Sequence, residues 1–394
     1  SVKAGDKLMA FEKTSSMAAR NNSEEHKVVA AINGDFYNTS TGEQIGSQVA
    51  NGQLLKATND WLNIAFDIDK NPIIGIQNFS GLIIKDDSIK NISGVNKVRN
   101  ADELIFYNSF YGSSTSTNQY GTEVRVIPIE NWLVNDTIRC IVDTVVTGIG
   151  NMVIGNNKAV LSGHGISAVF LVNNLFNDDT IKVVLNLTPA LPKIEQLIGG
   201  NTWLVQNGNV NQDNGDRHPR TSVGFNQDST QLYMFVVDGR QPGLSVGMSY
   251  KELGDYMKTW GVHNGLNLDG GGSSTMVVRG SIVNSPSDIG GERSVANSLL
   301  LISTAPTGPL DNIRINSKEL FALGGSNVNF AASGFDQYYN PVTIASGSLV
   351  WSCDSAIGTV SQNGVFTAAY DTVSGYVFAT VGEIKDSALV HLAK

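Results

Sequence analysis

The sequence predicts an α+β domain followed by a small all-β sandwich, and three observations support this prediction. Strand-like runs dominate residues 1–305, one segment of that part has the signals of an amphipathic helix, and residues 310–394 contain short alternating runs. The chain of 394 residues is long enough for two or three domains of ordinary size. We therefore expect one domain over residues 1–305 and a second over residues 310–394.

Four runs in the first domain are typical of strands because they are apolar and rich in β-branched residues. They are residues 28–32, 62–66, 180–185 and 232–237. Such runs predict a mixed, mainly antiparallel sheet.

The clearest helix signal begins at Ser249. Ser249 and Glu252 have the spacing of a capping box, in which each side chain bonds the backbone of the other. The residues that follow at helical spacing form an apolar face that we expect to pack on the core, and Gly261 is suited to end the helix. That face consists of Leu253, Tyr256, Met257 and Trp260. Residues 15–25 are a second candidate, so we expect helices flanking the sheet.

The tail is separated by residues 304–311, which contain the Pro and Gly of a linker. Its short runs have the spacing of a sandwich and lie at residues 313–315, 328–330, 349–351, 364–366 and 376–380. Residues 350–367 resemble the bacterial immunoglobulin-like domains of surface proteins. The resemblance implies a spacer or adhesion module that associates with the cell surface.

Composition restricts the partners and the compartment. The net charge of −9 gives no electrostatic footprint for nucleic acid. Charged residues make up 16% and there are 41 glycines, which is typical of a secreted, periplasmic or cell-surface β-rich protein. No run approaches the ~18 apolar residues of a membrane span. The two cysteines and five histidines lack metal-ligand spacing, so no cofactor is predicted to be required.

Residues 267–275 are the most informative segment. Asp269 ends an apolar run and is followed by three glycines and three hydroxyl residues. Glycine allows positive φ and close approach of a ligand to the backbone. An ordinary turn is the alternative interpretation. A nucleotide phosphate loop is disfavoured because no lysine follows these glycines.

Four further segments also place charged residues beside Gly or after apolar runs: residues 31–37, 217–224, 236–240 and 290–293. With the Asp269 segment they supply four carboxylates and four arginines, which are Asp35, Asp238, Asp269, Glu292, Arg217, Arg220, Arg240 and Arg293. Carboxylates act on sugar rings, and arginines hold phosphates through paired hydrogen bonds. Together they predict a substrate that contains both sugar and phosphate.

These segments resemble the phosphodiester glycosidase family at residues 33–37, 218–224, 237–240, 266–275 and 292–297, within a match over about residues 25–303. The resemblance implies hydrolysis of the anomeric C–O bond of a sugar-1-phosphate diester, such as an N-acetylglucosamine-1-phosphodiester glycan. A sugar and a phosphomonoester would be released. The expected partner is therefore a carbohydrate or a sugar-phosphate polymer.

The resemblance also implies roles for individual residues. We expect Asp269 to face the anomeric carbon as nucleophile or base, with Glu292 or Asp238 as the second carboxylate, so that Asp269→Asn and Glu292→Gln would each abolish turnover. Arg220 and Arg240 would hold the phosphate, with support from Arg293. The residues expected to bind substrate are Asn33, Asp35, His218, Arg220, Thr221, Arg240, Gly270, Gly271, Gly272, Ser273, Ser274 and Arg293.

Two other functions remain open from the sequence. A phosphodiesterase that cleaves the P–O bond could bind Mg²⁺ or Ca²⁺ through Asp35, Asp238 and Asp269. A surface protein that binds glycans without turnover would also be compatible with the tail.

Overall fold

The computed structural model describes residues 1–189 and 193–394, which form two compact units, Ser1–Ser303 and Thr304–Lys394. The protein is mostly β, with 46% strand and 8% helix, so the prediction of an α+β fold with flanking helices is wrong. The helices of the described residues are short, α1 (Thr14–Arg20), α2 (Ile166–Asn174) and α3 (Tyr250–Thr259). The segments between the predicted strands form further short strands and turns instead of helical layers.

The first unit contains 24 strands in its described residues. In chain order they are β1 Val2–Lys3, β2 Glu12–Lys13, β3 Lys27–Asn33, β4 Gln48–Ala50, β5 Gln53–Lys56, β6 Leu62–Asp67, β7 Pro72–Ile76, β8 Asn78–Lys85, β9 Ser88–Ile92, β10 Gly94–Val95, β11 Leu104–Asn108, β12 Thr122–Pro128, β13 Thr137–Thr147, β14 Ala159–Gly163, β15 Thr180–Thr188, β16 Ile194–Gly199, β17 Thr202–Val205, β18 Arg220–Phe225, β19 Leu232–Val237, β20 Asn264–Asn267, β21 Met276–Val278, β22 Ser281–Ile282, β23 Ser294–Val295 and β24 Asn297–Ser303. The four predicted strand runs are confirmed in β3, β6, β15 and β19.

The largest sheet has eight strands in the order β10-β11-β14-β12-β13-β15-β8-β9. The sheet curls until β9 approaches β11, which nearly closes a barrel. Its buried core includes Phe106, Trp132 and Leu161. Apart from the parallel pair β10 and β11, the described neighbours in this sheet are antiparallel, as the sequence predicts.

Two smaller sheets position the segments that carry the predicted site. One has the order β17-β20-β18-β19 and the other the order β1-β24-β3-β21-β22. A shared core of apolar side chains, including Ile32, Val223 and Leu266, packs the two together. The C-terminal ends of β3 and β20 meet, because Asp269 donates its backbone N–H to the Gly34 carbonyl over 2.9 Å.

The predicted capping box and helix are confirmed in α3. Ser249 Oγ accepts the Glu252 N–H over 3.2 Å, and Glu252 Oε2 accepts the Ser249 N–H over 2.9 Å. Leu253 and Met257 are buried, whereas Tyr256 and Trp260 are 43% and 56% exposed, so the apolar face is narrower than predicted. The candidate over residues 15–25 is α1, which begins one residue earlier and ends at Arg20. The α2 helix had no capping signal because its N-cap residue is Gly165.

Removing the cap should destabilise the first unit measurably. We expect Ser249→Ala to lower the free energy of unfolding by about 1 kcal/mol, because the Glu252 N–H loses its acceptor. Urea unfolding followed by circular dichroism measures this. Ser40→Ala, in an exposed loop, is the control and should change the value by less than about 0.5 kcal/mol. An equal, negligible effect of both substitutions would contradict the prediction.

The second unit contains ten strands in chain order. They are β25 Asn312–Ile315, β26 Glu319–Leu323, β27 Asn327–Asn329, β28 Ala332–Phe335, β29 Pro341–Val342, β30 Val350–Cys353, β31 Gly358–Val360, β32 Val365–Ala368, β33 Ser374–Val381 and β34 Ile384–Ala393. They form sheets of three, four and three strands around a core that includes Trp351, Phe366 and Val377. Each of the five alternating runs noted in the sequence overlaps one of these strands.

Across the described residues, no helix has the length and apolar character needed to cross a membrane.

Candidate active site

A cleft of about 250 Å³ opens where the ends of β3, β18 and β20 come together. It contains four of the eight charged residues selected from the sequence, together with three uncharged residues that were not selected. Its lining residues are Phe36, His218, Arg220, Arg240, Tyr250, Asn267, Asp269, Gly270, Gly271, Gly272 and Arg293. The fold therefore brings residues of all five predicted segments to one place.

Hydrogen bonds of its backbone hold Asp269 in place, and its side chain lines the cleft. Its N–H bonds the Gly34 carbonyl over 2.9 Å, and its carbonyl accepts a hydrogen bond of 2.6 Å from Asn33 Nδ2. The preceding N–H, of Leu268, bonds the Thr221 carbonyl over 2.9 Å. The end of β3 and the neighbouring strand β18 therefore fix the position of Asp269.

Withdrawal from water raises the pKa of the Asp269 carboxyl to about 6. The Ser273 hydroxyl, the Gly270 N–H and the charge of Arg293 act in the opposite direction and offset only part of this effect. Ser273 Oγ lies near the carboxylate but does not reach full hydrogen-bond geometry. Asp269 therefore changes charge just below neutral pH, which is suited to a group that accepts a proton during a reaction.

The glycines beside Asp269 make room for two arginines. A Cβ on Gly271, whose φ is +64°, would lie 3.1 Å from Arg240 Nη1. A Cβ on Gly272 would overlap Arg293 Nη2 and Asp288 Oδ1. The lack of side chains at this loop therefore lets cations from other segments approach the acidic group.

Each of the three cleft arginines is held differently. Arg220 donates from Nε to the Met248 carbonyl over 3.0 Å and stacks on the Tyr250 ring at 4.1 Å. Arg293 makes a two-point ion pair with Asp288, with distances of 2.7 and 2.9 Å. Arg240 is exposed, has a positive φ of 58°, and lies 3.4 Å from His218 Nδ1.

The charges make the cleft suitable for an anion. Among the described residues that line it, Asp269 is the single carboxylate and faces three arginines. Burial and the neighbouring charge of Arg240 lower the pKa of Arg220 below its ordinary value, whereas Asp288 raises the pKa of Arg293. An arginine nonetheless stays protonated in proteins, so the cleft is net positive when Asp269 is ionised.

The two carboxylates predicted to assist Asp269 have other partners. Glu292 accepts hydrogen bonds from the Ser15 N–H, at 2.8 Å, and from Ser15 Oγ, at 2.5 Å, in the first turn of α1. Asp238 accepts hydrogen bonds of 2.9 Å from both Asn284 Nδ2 and the Ser285 N–H. In the described part of the chain neither side chain lines the cleft. Both connect distant segments of the first unit.

Several residues expected to bind sugar lie beneath the cleft. Asn33 and Thr221 are fully buried, and Asn33 Oδ1 accepts hydrogen bonds from Thr221 Oγ1 and from the Thr275 N–H. The Ser273 and Ser274 hydroxyls are buried without a hydrogen-bond partner among the described residues. These side chains support the loop from below.

Asp35 is also buried, and its Oδ2 accepts the Gly46 N–H over 2.6 Å. Burial, together with the nearby charge of Asp269, raises the pKa of Asp35 to about 7. Its other carboxylate oxygen has no partner in the described residues.

The three carboxylates considered for a metal have separate environments. Asp35 bonds Gly46, Asp238 bonds Ser285, and Asp269 faces the cleft. The described residues contain no group of three or more His, Cys, Asp or Glu side chains placed to hold a metal ion.

Three lining residues were not selected from the sequence. Phe36 and Asn267 lie within the family motifs at residues 33–37 and 266–275, but neither side chain has a distinctive chemistry of its own. Tyr250 is the first residue of α3, and only the fold reveals that its ring stacks on Arg220.

Comparison with known proteins tests the family that the sequence motifs predict. Residues 134–302 match the phosphodiester glycosidase family. The family predicted from the sequence motifs is therefore confirmed over the matched residues.

One similar curated protein is the N-acetylglucosamine-1-phosphodiester alpha-N-acetylglucosaminidase of Mus musculus. It is 32% identical over 121 residues, which is 26% of this chain and 23% of the mouse protein. The chain thus matches about a quarter of the length of that relative.

Two solved structures share the fold. One is a protein of Burkholderia pseudomallei, provisionally named as exported, with a TM-score of 0.54 and 23% identity over 77% of this chain and 70% of that one. The other is a hypothetical protein from Synechocystis, with a TM-score of 0.55 and 17% identity over 75% of this chain and 55% of that one.

Proposed function

We propose that this protein is a glycosidase that hydrolyses the anomeric C–O bond of a sugar-1-phosphate diester and releases the sugar and a phosphomonoester. The observation that carries the proposal is that Asp269, the one carboxylate among the described residues that line the cleft, faces Arg220, Arg240 and Arg293. The family match and the N-acetylglucosamine-1-phosphodiester activity in the mouse relative's name support N-acetylglucosamine as the sugar.

In this proposal the arginines bind the phosphate and Asp269 acts on the sugar side. Asp269 takes a proton from a water molecule, and the water oxygen forms the new bond to the anomeric carbon. The C–O bond breaks, and its electron pair stays on the phosphate oxygen. The phosphomonoester is stable as an anion and its charge is held by the arginines, so a full proton from an acid is not needed.

A cleft whose described lining contains one carboxylate favours one displacement over two. A double displacement needs a carboxylate nucleophile and also a group that later activates water. We therefore propose inversion at the anomeric carbon, with Asp269 as the base. Glu292 and Asp238 hold chain segments in this account, and NMR of the freshly released sugar would report its anomeric configuration.

The rate should depend on pH through Asp269. The ionised carboxylate is the active form, so kcat/KM should rise with pH up to about 6 and then level off. Below that value it should fall about tenfold per pH unit. Initial rates between pH 4 and 8 measure the profile, and a rate that stays constant down to pH 4 would contradict the role of Asp269.

Release of free sugar tests the function directly. We expect release from UDP-N-acetylglucosamine or from the methyl ester of N-acetylglucosamine-1-phosphate, and loss of that release in Asp269→Asn. A panel of other sugar-1-phosphate diesters extends the test. No release from any member would favour a protein that binds glycans without turnover.

We propose that the protein acts outside the cytoplasm. The provisional name of the Burkholderia protein as exported supports this location. We propose that the second unit, whose strand sequence resembles immunoglobulin-like modules, holds the first unit at a cell surface. Cell fractionation of the source organism with an antibody to the first unit would test the location.

A further inference from the structure

Two loops beside the cleft, residues 238–248 and 283–293, expose aliphatic side chains to water. Each of the four side chains belongs to a residue that is more than half exposed, and Ile289 is fully exposed. A single exposed aliphatic residue is ordinary, but several on adjoining loops indicate a surface that binds a partner or a ligand. These side chains, which we call the apolar rim, are Leu244, Val246, Val283 and Ile289.

The first loop is anchored to the cleft at both ends. Near its start is Arg240, which lines the cleft. It ends at Met248, whose carbonyl accepts a hydrogen bond of 3.0 Å from Nε of Arg220, a second cleft residue. A tight turn between these two points leaves Leu244 and Val246 at the surface. The exposed side chains are therefore held next to two of the cleft arginines.

The second loop ends at the third cleft arginine, Arg293. Ile289 directly follows Asp288, which forms the two-point ion pair with Arg293. The two loops are joined, because Gln241 Nε2 donates to the Ser285 carbonyl over 2.7 Å and Ser285 Oγ donates to Gln241 Oε1 over 2.8 Å. Together the loops form one border on the arginine side of the cleft.

This border is uncharged over most of its length. Residues 241–249 contain no charged side chain, and neither do residues 280–287. One proline in each loop, Pro242 and Pro286, restricts the backbone, so less conformational freedom is lost when a ligand binds. A group that extends from the arginines over these loops contacts hydrocarbon and uncharged polar atoms. Such a surface favours an apolar chain over a charged group.

The position of the apolar rim indicates which part of the substrate reaches it. In the proposed reaction the sugar lies at Asp269 and the phosphate at the arginines. Arg240 and Arg293 approach the glycines beside Asp269 and belong to the two loops that carry the rim. The loops therefore border the group on the other side of the phosphate, which leaves with the phosphomonoester.

We propose that the apolar rim binds a hydrocarbon chain on the leaving group, so that the substrate class is a sugar-1-phosphate diester of a long-chain alcohol. This assignment rests on the proposed function, because it takes Arg240 and Arg293 as phosphate ligands. Full burial of a methylene tightens binding about fourfold, and contact on one face tightens it about twofold. A chain of several carbons therefore adds measurably to the affinity.

A series of substrates separates the apolar rim from the catalytic cleft. The series consists of the methyl, butyl and octyl esters of N-acetylglucosamine-1-phosphate. KM should fall about tenfold from the methyl to the octyl ester. We expect the double variant Leu244→Ser, Ile289→Ser to raise KM for the octyl ester about fivefold, with the value for the methyl ester within about twofold of the natural protein.

A second double variant, Ile166→Ser with Phe176→Ser, is the matched control. Both side chains are exposed, at the start of α2 and just after its end, and neither lines the cleft. The helix packs on β12 and β14 of the eight-stranded sheet. The control therefore removes the same number of exposed apolar side chains from the same unit, and it should leave KM for every ester unchanged.

Binding of phosphomonoesters tests the apolar rim without turnover. Calorimetry should show that octyl phosphate binds about tenfold more tightly than methyl phosphate, and that the double variant Leu244→Ser, Ile289→Ser loses most of this difference. If circular dichroism shows that this variant does not fold, Val246→Ser with Val283→Ser replaces it with the same expectation.

Sedimentation with vesicles of phosphatidylcholine alone distinguishes a chain on the substrate from a bilayer surface. We expect the protein to stay in the supernatant. Sedimentation that the double variant abolishes would assign the apolar rim to a bilayer and overturn the proposal, as would an equal KM for all three esters. If no ester releases sugar but octyl phosphate still binds more tightly than methyl phosphate, the glycosidase would be rejected and the hydrocarbon site would stand.

Discussion

The Asp269→Asn variant is expected to lose about a thousandfold of kcat while it stays folded. Asparagine keeps the shape of the side chain and the backbone bonds to Gly34 and Asn33, but it cannot accept a proton from water. The arginines of the cleft remain, so KM should change little. Steady-state release of N-acetylglucosamine from its methyl phosphodiester measures both constants.

The same variant should be more stable than the natural protein at neutral pH. The folded pKa of Asp269, about 6, lies above the ordinary value of 3.8, so ionisation destabilises the folded state as pH rises through this window. We expect Asp269→Asn to gain about 1–2 kcal/mol at pH 7, less than the full pKa shift implies because the carboxyl is partly open to solvent. The gain should vanish below pH 4.

Glu292→Gln is the matched control for Asp269→Asn. In the structure Glu292 bonds Ser15 and does not line the cleft, so its activity should stay within a few-fold of the natural protein. A fully active Asp269→Asn protein would contradict the proposed base. If Glu292→Gln stays folded but loses turnover, Glu292 would be the second catalytic carboxylate that the sequence suggests.

Gly272→Ala is expected to have the second largest effect. The added methyl group would overlap Arg293 Nη2 and Asp288 Oδ1, so the ion pair would have to move away from the loop. The phosphate would lose a charged hydrogen bond, which corresponds to a rise of KM of about 10- to 100-fold. Kinetics on the methyl diester measure this change.

Gly290→Ala controls for the loss of a glycine in the same region. An added Cβ at Gly290 has no neighbour within 4 Å among the described residues, and its φ is not in the left-handed region. Its kinetics should match those of the natural protein. An unchanged KM in Gly272→Ala would show that Arg293 does not contribute to binding.

The site could be predicted from sequence to the extent that its residues stand in distinctive motifs. His218, Arg220, Arg240, Asp269, Gly270–Gly272 and Arg293 all line the cleft. The motifs could not separate residues at the surface from those beneath it. Asn33 and Thr221 occur in the same motifs, yet both are fully buried and bonded to each other.

Long-range contacts explain what the sequence did not reveal. Glu292 bonds Ser15, 277 positions away in the chain, and no local pattern encodes that pair. The stacking of Arg220 on Tyr250 depends on how α3 begins beside β18. The prediction of flanking helices was wrong for a related reason. Capping and periodicity indicate where one helix forms, but they do not indicate whether helices or further strands pack against the sheet. Local signals gave a correct prediction where all the residues of a motif are close in sequence, as in the capping box of α3.

Hydrolysis in ¹⁸O-labelled water tests the central claim most directly. If Asp269 directs water to the anomeric carbon while the arginines hold the phosphate, the label will be found in the released N-acetylglucosamine and not in the phosphomonoester. Mass spectrometry of both products from the methyl diester decides this. Label in the phosphomonoester would mean P–O cleavage and would contradict the account.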